Sequence, residues 1–238
     1  MKKRNPLTFT VIIMMALIGC ESDNSTSKTD YNTTVKGTIV GGSGQSLIFE
    51  MLHSNGVDQL DTIILNETGS FEFGADVKGQ GFYRISLTQN NFIVLILSEG
   101  ENISFSSSAR ALEQDYTVTG SPESERLQVF NRFVSKLFIS SDSLARESKI
   151  HQANRDVNAY MAASEFQQSL GLKRDGFIRN FVNENPGSLA SLAAVENLNP
   201  DVDYQYYKKV ADALKSKIPE SPYFQNLNSR VVELGKMA

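Results

Sequence analysis

The sequence predicts an α+β protein in which an N-terminal antiparallel β-sandwich is followed by a C-terminal all-helical region. Apolar residues alternate with polar ones at a period of two over residues 33–119, and they recur at spacings of three and four over residues 120–238. Strands grouped before helices indicate segregated α+β architecture rather than alternating β/α units. A chain of 238 residues with 40% hydrophobic residues is long enough to bury such a core.

The first 19 residues are typical of a lipoprotein signal peptide. A positive start, Lys2-Lys3-Arg4, precedes an uncharged and mostly apolar stretch over residues 7–19. That stretch is shorter than the about 18 residues that a membrane span needs, and it fits the apolar region of a secretory signal. It ends in Leu17-Ile18-Gly19-Cys20, which resembles the bacterial lipobox, where a small residue precedes the cysteine that is lipidated.

This resemblance implies that Cys20 becomes the N-terminus and anchors the protein in the membrane through lipid. Residues 20–32 are then the lipidated cysteine and a polar, flexible tether. Because each buried CH₂ contributes about 0.8 kcal/mol, two or more acyl chains anchor a protein stably. Cys20 is the only cysteine, and as a thioether it cannot act as a nucleophile, a metal ligand or half of a disulfide.

Net charge argues against nucleic acid as a partner. The whole chain carries a net charge of -4, and removal of residues 1–19 takes away three basic residues and no acidic ones. A nucleic-acid-binding protein needs a basic face to neutralise phosphates. We therefore expect no nucleic acid partner, and we expect membrane attachment to depend on lipid rather than on charge.

Seven or eight short strands are expected between residues 33 and 119, which form the predicted sandwich domain. Turn residues separate them about every 8–12 residues, which is typical of a β-sandwich. The strand-like segments are 35–39, 47–51, 61–65, 70–74, 83–87, 92–97, 103–105 and 116–118. Residues 92–97 are almost wholly apolar, as expected of a central strand buried on both faces. The glycine cluster at 41–44 lacks the spacing of a phosphate-binding loop, so it predicts a hairpin turn.

The helical region is predicted over residues 120–238. Ser121-Pro122 is a helix start, with serine as the N-cap and proline in the first turn. Apolar stripes with helical spacing follow at 127–138, 157–182, 189–195, 206–218 and 224–234. Gly171 and Gly176 weaken the second stripe and leave open whether it forms one helix or two. We expect the stripes to pack as a core rather than to bind a cofactor.

No catalytic, cofactor-binding or metal-binding residues are predicted. The two histidines, His53 and His151, lie in different regions and are expected on the surface. Asp201 and Asp203 precede a predicted helix, where carboxylates favour the N-terminus, and they lack the longer series of a calcium loop. The chain is therefore expected not to be an enzyme.

Several short motifs resemble one envelope family. They are the strand 35–39 with Gly37, the Asp61 to Phe73 segment with its Gly-Ser-Phe-x-Phe hairpin, the Val-x-Gly-Ser step at 118–121, and Asn-Pro-Gly-Ser at 185–188. Together they resemble the N-terminal accessory region, a domain of unknown function, of TlpA-like thiol-disulfide oxidoreductase lipoproteins of the Gram-negative envelope. Fuller members carry a thioredoxin-like domain with a Cys-x-x-Cys pair, and this sequence has no second cysteine.

These observations favour a lipid-anchored envelope protein, in the outer membrane, that acts as a non-enzymatic binding or scaffolding module. Its body is expected in the periplasm or on the cell surface. One alternative is the non-catalytic half of a split or truncated thiol-disulfide oxidoreductase, with a separate thioredoxin-like protein as partner. Another alternative is a surface glycan- or peptide-binding lipoprotein, for which an exposed aromatic platform would be the distinguishing feature.

Overall fold

The computed structural model describes residues 31–53 and 55–236, and the predicted signal peptide and Cys20 lie outside this part of the chain. Within it, strands come first and helices second, which confirms the α+β prediction. The strands are β1 (Thr33–Val40), β2 (Ser46–His53), β3 (Gly56–Ile64), β4 (Ser70–Ala75), β5 (Gln80–Thr88), β6 (Asn91–Ser98), β7 (Asn102–Ser108) and β8 (Thr117–Thr119). The helices are α1 (Pro122–Ala153), α2 (Val157–Glu184), α3 (Leu189–Val195), α4 (Pro200–Lys217) and α5 (Pro222–Leu234).

Two four-stranded sheets form a sandwich. Their strand orders are β4-β1-β7-β8 and β3-β2-β5-β6. Aromatic side chains from both sheets meet in the interior, where the rings of Phe49 and Phe73 stack with centroids 5.0 Å apart. All strand pairs are antiparallel in the described residues except β1 and β7, which run parallel. The sequence pattern does not reveal this pair because period two is the same in both orientations.

Two expected hairpins are in fact connections between the sheets. The turn at residues 41–44 joins β1 of one sheet to β2 of the other, and the turn around Gly69 joins β3 to β4 across the sandwich. The residue types in a turn indicate that the chain reverses direction, but they do not indicate whether the next strand pairs with the preceding one. The hairpin predictions at these two places were therefore wrong.

Strand β6 is an edge strand, not the central strand that its apolar sequence predicted. Its alternate residues face two cores: Leu95 lies in the sandwich interior, and Ile96 lies in the core beneath the helices. The start of α1 covers the open edge of the strand. Ser124 Oγ accepts the Ile96 N–H at 2.9 Å, and Ser121 and Ser124 both donate to the Ile96 carbonyl. An edge covered in this way is closed to pairing with another chain.

The helices pack on the outer face of the β3-β2-β5-β6 sheet. A second hydrophobic core lies there, built from α1 to α5 together with Ile96 and the partly buried Phe82 and Val94. Helix α2 continues through Gly171 and Gly176, so the second apolar stripe forms one helix. Each of these glycines destabilises the helix by only about 1 kcal/mol relative to alanine. The packing of α2 against α1 offsets this loss.

Predicted helix boundaries agree with the structure at most positions. The Ser121 side chain caps α1, and the Ser188 side chain caps α3 by accepting the Ala190 N–H. Asn199 is the N-cap of α4 and is followed by Pro200 in the first turn of the helix. Ser221 holds the N-cap position of α5 without a side-chain cap bond.

The end of the predicted tether is fixed to the sandwich. Asn32 pairs with Val77 through two hydrogen bonds of 2.9 Å, one to its carbonyl and one from its N–H. The ring of Tyr31 lies over Gly74, where a Cβ atom would be 1.9 Å from the ring. Residues 31 and 32, the described part of the predicted tether, therefore pack against the sandwich.

Candidate functional site

A cleft of about 720 Å³ opens between the outer face of the β3-β2-β5-β6 sheet and the helices. Strands β2, β5 and β6 contribute to its floor, α1 forms one wall, and α3 and α5 close one end. Its lining is mostly apolar: Leu52, His53, Phe82, Phe92, Ile93, Val94, Glu113, Leu127, Phe130, Asn131, Val134, Ser135, Phe138, Leu192, Ala193, Asn197 and Tyr223. Mostly apolar concave sites of this size are typical of ligand pockets.

Helix α1 supplies the cleft wall through its regular spacing. Leu127, Val134 and Phe138 line the cleft at intervals of seven and four residues, which keeps them on one helix face. Leu127 is buried at the inner end, Val134 is half-buried, and Phe138 is 72% exposed. The wall therefore runs from the buried core out to solvent.

The polar side chains at the closed end of the cleft bond to the protein itself. The Tyr223 hydroxyl donates to the Leu52 carbonyl and accepts the Phe82 N–H at 3.3 Å. Burial raises the pKa of Tyr223 above its ordinary value. The Asn197 amide donates to the Ala193 carbonyl.

Fewer of the polar side chains near the start of β6 are hydrogen-bonded to the protein. Glu113 and Ser135 line the cleft and make no side-chain hydrogen bond among residues 31–53 and 55–236. Asn131 donates to the Tyr116 hydroxyl at 3.3 Å, and Arg132 donates to the Tyr116 carbonyl. Tyr116 is almost fully buried, and burial raises its pKa to about 12.

An ion pair lies beside the cleft floor. Arg84 on β5 donates twice to the Glu50 carboxylate on β2, at 2.7 and 2.9 Å, and its guanidinium lies 5.6 Å from the centroid of the Phe92 ring. These bonds from Arg84 lower the pKa of Glu50. Because both charges are paired, this part of the sheet adds little net charge to the cleft.

Two motifs of the sequence meet at the junction between sandwich and helices. Ser188, from the Asn-Pro-Gly-Ser motif, donates to the buried Glu123 carboxylate just after the Val-x-Gly-Ser step. Glu123 also pairs with Arg126 at 2.8 Å. Nearby, burial raises the pKa of Glu101, which accepts the Ser98 N–H. The position of these residues indicates a structural role, joining α1 to α3.

The histidines and aspartates that the sequence offered as possible catalytic or metal-binding groups do not lie together in one site. His53, expected on the surface, is half-buried at the cleft, with Nε2 3.3 Å from an Asp58 carboxylate oxygen. His151 lies in the last turn of α1. Asp201 and Asp203 lie in the first turn of α4 rather than before it, and the buried Asp203 pairs with Arg179 of α2 at 2.7 Å.

The C-terminal half of α1 and the N-terminal half of α2 form a second distinctive surface, a helical hairpin of two antiparallel helices. Most of its large apolar side chains are exposed: Phe138, Ile139, Ile150, Val157, Met161, Phe166 and Leu172. The sequence analysis missed this, because the apolar stripes of both helices continue past the region where a core exists to cover them.

Two further classes of site were sought in the described residues. Residues 31–53 and 55–236 contain no cluster of three or more His, Cys, Asp or Glu side chains arranged to bind a metal. Among the five helices described, none combines the length and apolar character that a membrane span requires.

Sequence comparison connects part of the chain to a known family. Residues 33–127 match the family described as "Domain of unknown function (DUF4369)". The match covers all eight strands and ends at Leu127, in the first turns of α1. It therefore includes the sandwich and the residues that cover the β6 edge. No curated protein matches the chain.

Proposed function

We propose that this protein is a lipid-anchored module of the Gram-negative cell envelope, in the outer membrane, and that it binds an apolar ligand without catalysing a reaction. The observation that carries the proposal is the cleft, because it is concave, mostly apolar and open to solvent at Phe138. The signal-like residues 1–19 and the lipobox-like residues ending at Cys20 support the anchoring.

The bonding of the polar side chains favours an apolar ligand over a glycan. Tyr223 and Asn197 already bond to backbone groups, and Asn131 bonds to Tyr116. Recognition of a sugar needs many free donors and acceptors, since unpaired buried hydroxyls are costly. Apolar surface, by contrast, gains free energy simply by leaving water.

Anchoring is tested by expressing the full chain in a Gram-negative host. We expect the protein in the membrane fraction, with an acylated cysteine at position 20 by mass spectrometry, and we expect Cys20→Ser to lose both. An unmodified thiol at position 20 in the wild-type protein would refute the anchor.

Ligand binding is tested with N-phenyl-1-naphthylamine, an uncharged dye that fluoresces in apolar sites. The expected result is saturable fluorescence with full-chain Cys20→Ser and its loss when Val134→Trp fills the cleft. Val129→Trp is the matched control, since Val129 is exposed on α1 outside the cleft. Equal fluorescence in all three proteins would show that the cleft is not the site.

A second candidate function is that of a scaffold for a separate thioredoxin-like protein. The exposed apolar side chains of the helical hairpin favour a protein partner, since large exposed apolar patches mark interaction sites. The experiment is cross-linking between the hairpin and a Cys-x-x-Cys protein encoded next to this chain. Met161→Lys should abolish the cross-link, while Val232→Lys, at an exposed position on α5, should leave it intact.

A further inference from the structure

We infer that the cleft takes a single-chain amphiphile: one alkyl chain with an uncharged, hydroxyl-bearing head group. This inference rests on the proposed function of the cleft as a ligand site, and it adds the class of ligand. It follows from the size, the shape, the polarity and the charge of the cleft.

Size favours a small molecule over a peptide helix. At about 30 Å³ for a water-sized group, the 720 Å³ cleft holds about two dozen non-hydrogen atoms. A helix with its side chains is about 10–12 Å across, and along the cleft it would fill more than about 1,000 Å³. A helical segment of a protein partner therefore does not fit without opening the fold.

Shape favours a linear ligand. The lining residues of α1 extend from Leu127 to Phe138, a distance of about 16 Å at 1.5 Å per residue. Across the floor, the lining spans β2, β5 and β6, which is two strand spacings or about 10 Å. The cavity is thus longer than it is wide, which suits an extended alkyl chain.

Polarity assigns a direction to the ligand. At the inner end, Leu127 and Phe82 are apolar, and the Tyr223 hydroxyl is already bonded. His53 also lines this end, with its Nε2 atom 3.3 Å from an Asp58 carboxylate oxygen. At the outer end, Glu113 and Ser135 offer oxygen atoms to which no other side chain bonds in the part of the chain that the structure describes. The alkyl chain therefore points inward, and the hydroxyl groups of the head bond to Glu113 and Ser135.

Charge selects an uncharged head. Within the described residues, Glu113 is the one Asp, Glu, Lys or Arg side chain of the lining. The Arg132 guanidinium lies outside the lining, where it donates to the Tyr116 carbonyl. Arg84, beside the floor, is paired with Glu50. An anionic head would be repelled by the Glu113 carboxylate. For a cationic head, the nearby Arg132 guanidinium offsets the attraction of Glu113, so neither ion gains a net attraction.

The test uses three ligands with the same 12-carbon chain, each below its micelle concentration: 1-monolauroylglycerol, laurate and dodecyltrimethylammonium. Isothermal titration of full-chain Cys20→Ser should show the glycerol ester binding about tenfold more tightly than either ion. Equal or tighter binding of either ion would overturn the inference.

Two adjacent residues of α1 provide the matched variants. Phe138→Ser removes a cleft-lining ring and should weaken binding of the glycerol ester by about fivefold. Ile139→Ser, at a neighbouring position that is also exposed but outside the cleft, should leave it unchanged. If both variants weaken binding equally, the cleft is not where the chain lies.

The outcomes separate this inference from the proposed function. If the neutral dye binds in the cleft and none of the three amphiphiles does, the inference fails and the apolar-ligand function stands. If neither the dye nor the amphiphiles bind, the proposed ligand site itself fails.

Discussion

The Tyr223 ring of α5 meets the Phe82 ring of β5 edge-on, with centroids 5.1 Å apart and an interplanar angle of 83°. The same tyrosine accepts the Phe82 N–H and donates to the carbonyl of Leu52, the residue opposite Phe82 on β2. One side chain from the last helix thus joins two strands that lie more than 140 residues earlier. It also forms the closed end of the cleft.

Removing the Tyr223 hydroxyl should loosen this contact. Tyr223→Phe keeps the ring packing but leaves the two backbone groups without their partner, so we expect a loss of about 1 kcal/mol in the free energy of unfolding. Urea denaturation measures it. Tyr160→Phe, on the helical hairpin, is the control and should change stability by much less. Equal effects would mean that the Tyr223 bonds contribute nothing.

Gly37 should be irreplaceable in β1. A Cβ atom at this position would lie 1.8 Å from the Phe105 carbonyl oxygen of β7. The parallel pairing of β1 with β7 therefore requires a residue without a Cβ atom here. We expect Gly37→Ala to prevent folding or to cost more than about 3 kcal/mol. Circular dichroism and thermal denaturation report it.

The contrasting variant is Gly171→Ala, where a new Cβ meets no atom within 4 Å on the α2 surface. This change should stabilise the protein by about 0.5–1 kcal/mol, because alanine favours helix over glycine. A destabilised Gly171→Ala protein would contradict the continuous α2 helix.

The Glu50–Arg84 pair should make stability depend on pH. Arg84 lowers the pKa of Glu50, so the folded state favours the ionised carboxylate. The stabilisation is therefore full above the ordinary value of 4.5 and is lost as the pH falls through the lowered pKa of the folded state. At neutral pH, Glu50→Gln should cost about 1–3 kcal/mol.

Denaturation curves at several pH values test this relationship. The difference between wild type and Glu50→Gln should shrink as the pH drops below 4.5. Glu72→Gln, at an exposed position on β4, should show no such trend. A difference independent of pH would show that packing, not the ion pair, is responsible.

Ser188 should hold the helical region to the sandwich. Its hydroxyl caps α3 and donates to the buried Glu123 carboxylate of α1. Ser188→Ala removes both bonds and leaves a buried carboxylate short of a donor, so we expect a loss of about 2 kcal/mol. Thermal denaturation measures the loss, and Ser229→Ala, exposed on α5, should be nearly neutral. A neutral Ser188→Ala would refute this role.

The elements themselves were predictable because their signals are local. Alternation at period two gave strands at the positions of β1 to β8, and Ser121-Pro122 gave the start of α1. The cleft was not predictable. Its lining joins residues from β2, β5, β6, α1, α3 and α5, and no spacing along the chain brings these together before the helices dock on the sheet.

Residues 92–97 illustrate the difference between what local sequence patterns and tertiary contacts establish. Their apolar run establishes burial on both faces, and the structure confirms that burial. However, the run does not establish whether the second face is covered by neighbouring helices or the strand is central in its sheet, because hydrophobicity depends on removal from water and not on which partner removes it.

The sequence by itself determined the order of strands and helices and most helix boundaries, and it supplied the expectation of a lipid anchor at Cys20. Only the tertiary structure decided the parallel β1–β7 pair, the edge position of β6, the inter-sheet turns and the cleft. Periodicity and capping act over a few residues. Strand pairing and cavities arise from contacts between residues that are distant along the chain, and the sum of all packing contacts selects among them.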